Sequence, residues 1–192
     1  MEDKTKDLIL ETLKTKACLK QKVFKRTIEI FKEFKKETEK LASELHAEMS
    51  AVDKDVVVKF VDKGDYEFHI KFGGDILVFF MHTNVFDFDK SHSIWNTSYL
   101  KEDDLRAYCG MINVYNFLSD SFKYNRVNDL GYLVARFFVN KEDHYFVEGK
   151  RQLGFLYNDF VNETITNDKI RKIIESAILY SCLLYTSDAA DE

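Results

Sequence analysis

The sequence predicts an α+β fold, a single domain in which an antiparallel sheet is covered by a long amphipathic helical region. Three observations predict it. No glycine or proline occurs before Gly64, and apolar residues recur there at spacings of three and four. From Tyr66 to Phe72 the chain alternates strictly between apolar and polar. From Ile76 to Met81 it is apolar at all six positions, the pattern of a strand covered on both faces.

The helical region spans residues 1–50. Leu10, Leu13, Ala17, Phe24, Phe31, Phe34, Leu41 and Leu45 mark its apolar stripe, with Ile28, Ile30 and Ala42 widening it. This is one long helix or two with a break near Lys20–Lys22. Lys20, Thr27 and Thr38 interrupt the seam, so packing on the sheet is expected rather than a coiled coil. Lys14–Lys36 holds nine Lys or Arg against two Glu. Such a segment could grip nucleic-acid phosphates or an acidic partner, or be a solvated face complemented by Glu37, Glu39, Glu44 and Glu48.

A β-meander follows over residues 55–89. Tyr66, Phe68, Ile70 and Phe72 face the core, while Glu67, His69 and Lys71 face solvent. The turns Asp62-Lys63-Gly64-Asp65 and Gly73-Gly74-Asp75 supply positive-φ residues for tight hairpins. The all-apolar strand needs cover on its second face from another helical layer or from a partner. Ser91–Ser98 is loop-like. A helix is then expected over residues 99–122, with Leu105, Tyr108, Ile112, Tyr115 and Leu118 at helical spacing, a Thr97 or Ser98 cap, and Cys109 packed mid-helix. Gly110 inside it signals close approach to the sheet.

A second β section covers residues 132–157. Tyr132–Val139 and His144–Val147 flank a hairpin at Asn140–Asp143, and Leu153–Tyr157 fits either a strand or a helix start. Thr166 or Asn167 caps a last helix over residues 167–181. The predicted order is thus helix, three strands, helix, two strands, helix. It is similar to that of small secretion-chaperone-like folds, a likeness of element order that implies dimerisation and protein binding. Cys182–Glu192, CLLYTSDAADE, resembles the translation of a sequencing-library adaptor, so the sequence is expected to be native only to about residue 181, with the protein's own C-terminal residues replaced by read-through. Removing Asp188, Asp191 and Glu192 takes the formal charge from −5 to −2.

Composition bounds function further. The net negative charge argues against a generic nucleic-acid binder. Cys18, Cys109 and Cys182 form neither a metal-type pair nor a disulfide framework, which suits a reducing cytoplasmic setting. The charged N-terminus does not read as a signal peptide, and no apolar run reaches membrane-spanning length. No cofactor motif is present, and none is expected to bind.

The densest polar cluster is His82, Asp87, Asp89 and His92, a set of imidazoles and carboxylates that could hold zinc or manganese for hydrolysis. Loops of this composition also form ordinary turns. Gly149–Gly154 carries Lys150 and Arg151 between its glycines without the context of a phosphate loop. The leading expectation is a non-enzymatic protein-interaction or chaperone-like module, a homodimer, binding through Val78 and Phe80 on the sheet's second face and through Trp95. The alternatives are a metal-dependent hydrolase and nucleic-acid binding through Lys14–Lys36.

Overall fold

The computed structural model describes residues 2–150 and 152–187. The chain opens with α1 (Glu2–Thr12), a π turn (Leu13–Ala17) and α2 (Cys18–Ser50), which run on as one helical rod. Among the described residues of this rod the one irregularity is the π turn, several residues earlier than the Lys20–Lys22 break the sequence suggests. No described residue before Leu19 is buried, so α1 projects from the body.

Six strands follow: β1 (Val58–Asp62), β2 (Glu67–Phe72), β3 (Asp75–Met81), β4 (Cys109–Leu118), β5 (Tyr132–Asn140) and β6 (Tyr145–Gly149). They form one antiparallel sheet in the order β1-β2-β3-β4-β5-β6, with every strand beside its sequence neighbour. The hairpins form where the glycines require them: Gly64 has φ +107° and Gly73 φ +55°. Asp143 takes φ +66° in the β5–β6 turn. The last long helix, α6 (Asn167–Ser187), opens with Thr166 Oγ1 accepting the Lys169 N–H at 3.4 Å.

One face of the sheet carries α2 and α6. Phe31 and Phe34 of α2 meet Phe68, Phe79 and Phe137 there, with Phe68 and Phe79 stacked at 4.6 Å. Ile170, Ile173, Ile174 and Ala177 of α6 close the same core. Thr27 and Thr38 interrupt the apolar seam because they sit under it. Both are buried, with their hydroxyls donating to Val23 O and Phe34 O one turn back.

The region 99–122 departs from expectation. In place of one helix the chain forms the short α3 (Ser98–Glu102), a 3-10 turn (Asp104–Ala107), the ten-residue strand β4, and α4 (Ser119–Lys123). β4 lies between β3 and β5 and is buried on both sides along most of its length, which erases the period-two signature. Tyr108, Ile112 and Tyr115 then mimic helical spacing by coincidence. Gly110, Asn113 and Asn116 are poor helix formers, and the Ile-Asn-Val-Tyr stretch is good strand. Cys109 packs in the core as expected, but from the first position of β4.

Gly110 does mark a close approach, between β4 and α2. A Cβ there would lie 1.9 Å from Thr27 Oγ1. Leu153–Tyr157 resolves as the helix α5 (Gln152–Leu156).

The second face of the sheet is covered mainly by the chain itself. Ile94, Tyr99, Leu100 and Phe160 pack on Cys109, Phe138 and Phe146 at one end of that face. At the other end Phe122 of α4 packs against Phe117 and against the His69 ring, 5.1 Å away. His69 is therefore buried at 4% exposure rather than facing solvent. A polar residue on an alternating strand was covered by a segment remote in sequence.

Candidate functional site

The four polar residues of the predicted metal cluster are each engaged separately. His82 packs edge-on against Phe86 at 4.8 Å, and its Nδ1 accepts the Asn84 N–H. Asp87 lines a concavity of about 540 Å³ beside Lys20 and Gln21 of α2. Asp89 accepts from the Ser91 N–H and hydroxyl, which hold its carboxyl below the usual range. His92 leans on Phe88 and meets Glu148 at 3.3 Å. Among the described residues, no three His, Cys, Asp or Glu side chains are placed to share a metal ion.

Of the predicted binding residues, Val78 is buried on β3 and Phe80 is 36% exposed. Trp95 is half-buried, its Nε1–H donating to Phe88 O and Asp89 O, with the Lys90 ammonium 3.2 Å from its ring centroid. Within the basic segment, the Arg26 guanidinium pairs with both oxygens of Asp143 at 2.6 and 3.0 Å, and Lys35 reaches Asp62 at 2.7 Å. Those acids come from the sheet's turns rather than from the helix's own C-terminal glutamates. Glu44 instead meets Arg171 of α6.

A buried polar hub sits at the β5–β6 turn. Asn140, fully buried, donates from Nδ2 to Tyr99 Oη (3.0 Å) and Arg106 O (3.2 Å). Its Oδ1 accepts from the N–H groups of Glu142 (2.9 Å) and His144 (3.1 Å). One side chain thereby ties the segment covering the second face to the turn.

Apart from Leu8, Ile9, Leu10 and Leu13 on the projecting helix, the exposed apolar side chains gather mainly at one end of the sheet. β4 ends, β5 begins and β6 ends at the same edge of the domain. The β4–β5 connection there displays Leu118, Phe122, Tyr124, Val127, Leu130 and Tyr132. α5, directly after β6, adds Phe155 and Leu156. α6 reaches the same end, where Tyr180 Oη lies 3.2 Å from Tyr132 Oη, and it adds Leu179. Leu130 is 96% exposed and Phe155 85%.

No protein-family model, curated protein or solved structure matches this chain.

The connection that displays these side chains is held in place. Ser121 Oγ donates to Asp129 Oδ2 at 2.6 Å, and the Arg126 N–H donates to Ser121 O at 2.8 Å. Gly131 lets the chain pass against the Phe117 ring, where a Cβ would come within 2.2 Å. Lys123 and Arg126 flank the Tyr124 ring, 5.0 and 5.5 Å from its centroid. Between these residues lies a hollow of about 230 Å³ lined by Phe117, Phe122, Arg126 and Val127. Sequence reasoning missed this surface because it read Leu118 as part of the apolar stripe of a helix over residues 99–122, which placed Phe122 at that helix's end. The available signal was the run Phe122-Lys-Tyr-Asn-Arg-Val127, apolar and aromatic residues set among loop formers.

Proposed function

We propose that this chain is a protein-interaction module that binds through the apolar end of its sheet. The observation that carries this reading is the set of nine large apolar side chains left exposed at one end of the domain on three neighbouring elements. The six on the β4–β5 connection alone expose on the order of 700 Å², at or above the roughly 300–600 Å² of the largest patch on an ordinary monomer. Tyr124 with Arg126 beside its ring pairs two residue types that are enriched in binding hot spots. The free thiols of Cys18 and Cys109 suit a reducing, cytoplasmic setting. Among the described residues no helix is long and apolar enough to cross a membrane.

Photo-crosslinking tests the reading. A benzophenone side chain at position 130 should yield covalent adducts to protein, while the same group at Leu8 on the projecting helix should not. Absence of any intermolecular adduct at position 130 would overturn it.

A further inference from the structure

We infer that the occupant of this surface is a second copy of the same chain, related by a two-fold axis. The inference rests on the interaction-module reading and names its partner.

A two-fold interface uses one patch twice, so the patch must be complementary to itself. This one meets that demand in three respects. It holds both a knob and a hole: Leu130 stands 96% exposed, and beside it lies the hollow of about 230 Å³ floored by Phe117 and Phe122. A leucine side chain fits a hollow of that size, and rotation about an axis through the patch sets each knob over the other copy's hole.

The charge is balanced. Residues 118–132 carry Asp120 and Asp129 against Lys123 and Arg126, a net charge of zero with both signs present. A two-fold rotation can set acids against bases, whereas a partner of one sign would meet as much repulsion as attraction. The area also fits. The six exposed side chains of residues 118–132 present on the order of 700 Å², close to the roughly 800 Å² that each partner contributes to a stable interface. Homodimer interfaces are the more apolar class.

Native mass spectrometry and sedimentation on the full chain test the proposal. The expected result is a dimer with a dissociation constant on the order of 1–10 µM. Leu130→Glu and Phe155→Glu should each weaken it by roughly 100-fold with an unchanged melting temperature, since both side chains are largely in water. Leu8→Glu, on the projecting helix, should leave it intact. The benzophenone adduct at position 130 should have twice the chain mass, with its crosslink mapping to residues 117–132 of the second copy.

A chain that stays monomeric at about 100 µM, or a dimer that Leu8→Glu dissolves while Leu130→Glu and Phe155→Glu do not, overturns the proposal. A monomer whose position-130 adduct contains a different protein overturns the second copy and leaves the interaction-module reading standing. A monomer with no intermolecular adduct overturns both.

Discussion

Replacing Gly110 with alanine separates two readings of residues 99–122 by the sign of its effect. In a helix interior, Gly→Ala stabilises by about 1 kcal/mol through backbone entropy and propensity. In β4 the added Cβ would lie 1.9 Å from Thr27 Oγ1, 2.7 Å from its Cγ2 and 2.8 Å from its Cβ. Thr27 is buried at 1% exposure on α2, so it has no open space to swing into. Ordinary contact begins near 3.4 Å, and the helix and strand would have to part by roughly 1.5 Å across a close-packed core. Overpacking of this kind costs about 1–3 kcal/mol, and the backbone contribution of alanine offsets only part of it.

Urea unfolding should therefore show Gly110→Ala destabilised by about 2 kcal/mol with an unchanged slope. Thr27→Ala as the second mutation relieves the hydroxyl and methyl clashes but leaves Cβ against Cβ at 2.8 Å, so it should rescue in part. Thr27→Gly removes the last contact at about 1 kcal/mol of helix propensity, and the cycle should show a favourable coupling of 1–3 kcal/mol. Additive mutations, or a Gly110→Ala protein as stable as the parent, would refute the Gly110–Thr27 contact.

Asn140→Ala should cost about 3–5 kcal/mol by urea unfolding, because it strips four hydrogen bonds from buried or half-buried backbone and phenol partners at once; a loss under about 1 kcal/mol would mean water replaces the amide. His69 sets a pH dependence. Burial lowers its pKa, and the Glu67 carboxylate at 2.7 Å opposes that shift without cancelling it, while Lys63 adds to the lowering. A depressed folded pKa means the unfolded state binds the proton more readily, so stability rises with pH through this window. The contribution is present above the unfolded value of 6.5 and is lost as pH falls from there through the folded value. Stability measured from pH 7.5 down to 5 should fall, and His69→Leu should flatten that fall; an equal slope in both proteins would show that other groups set it.

The parts of the fold that were legible are those where one face of an element meets water. Phe68, Ile70 and Phe72 alternate with partly exposed neighbours at Glu67 and Lys71, and the strand they announce is β2. The α2 and α6 stripes were equally plain, since each helix keeps a solvated side. β4 was illegible because it has no solvated side to mark its period. His69 was misplaced for a related reason, since its cover, Phe122, lies more than fifty residues further along the chain. The polar loop after β3 looked like a metal site because composition records which donors are present. It does not record that Phe86, Ser91 and Glu148 each engage a different one.

The exposed apolar surface was hidden by the same error that hid β4, and the two are physically linked. The β2–β3 hairpin turns with only Gly73 and Gly74 between paired residues, which is all that antiparallel geometry requires. The β4–β5 connection does the same topological task with residues 119–131. The first five of those residues form α4, and residues 124–131 complete the connection over the sheet's end. Here the extra length is internally hydrogen-bonded and carries apolar side chains outward. Solvation alone would favour polar residues at those positions, so the sheet's own stability gives no reason for Leu130 or Val127 to be apolar. A partner that buries them supplies one.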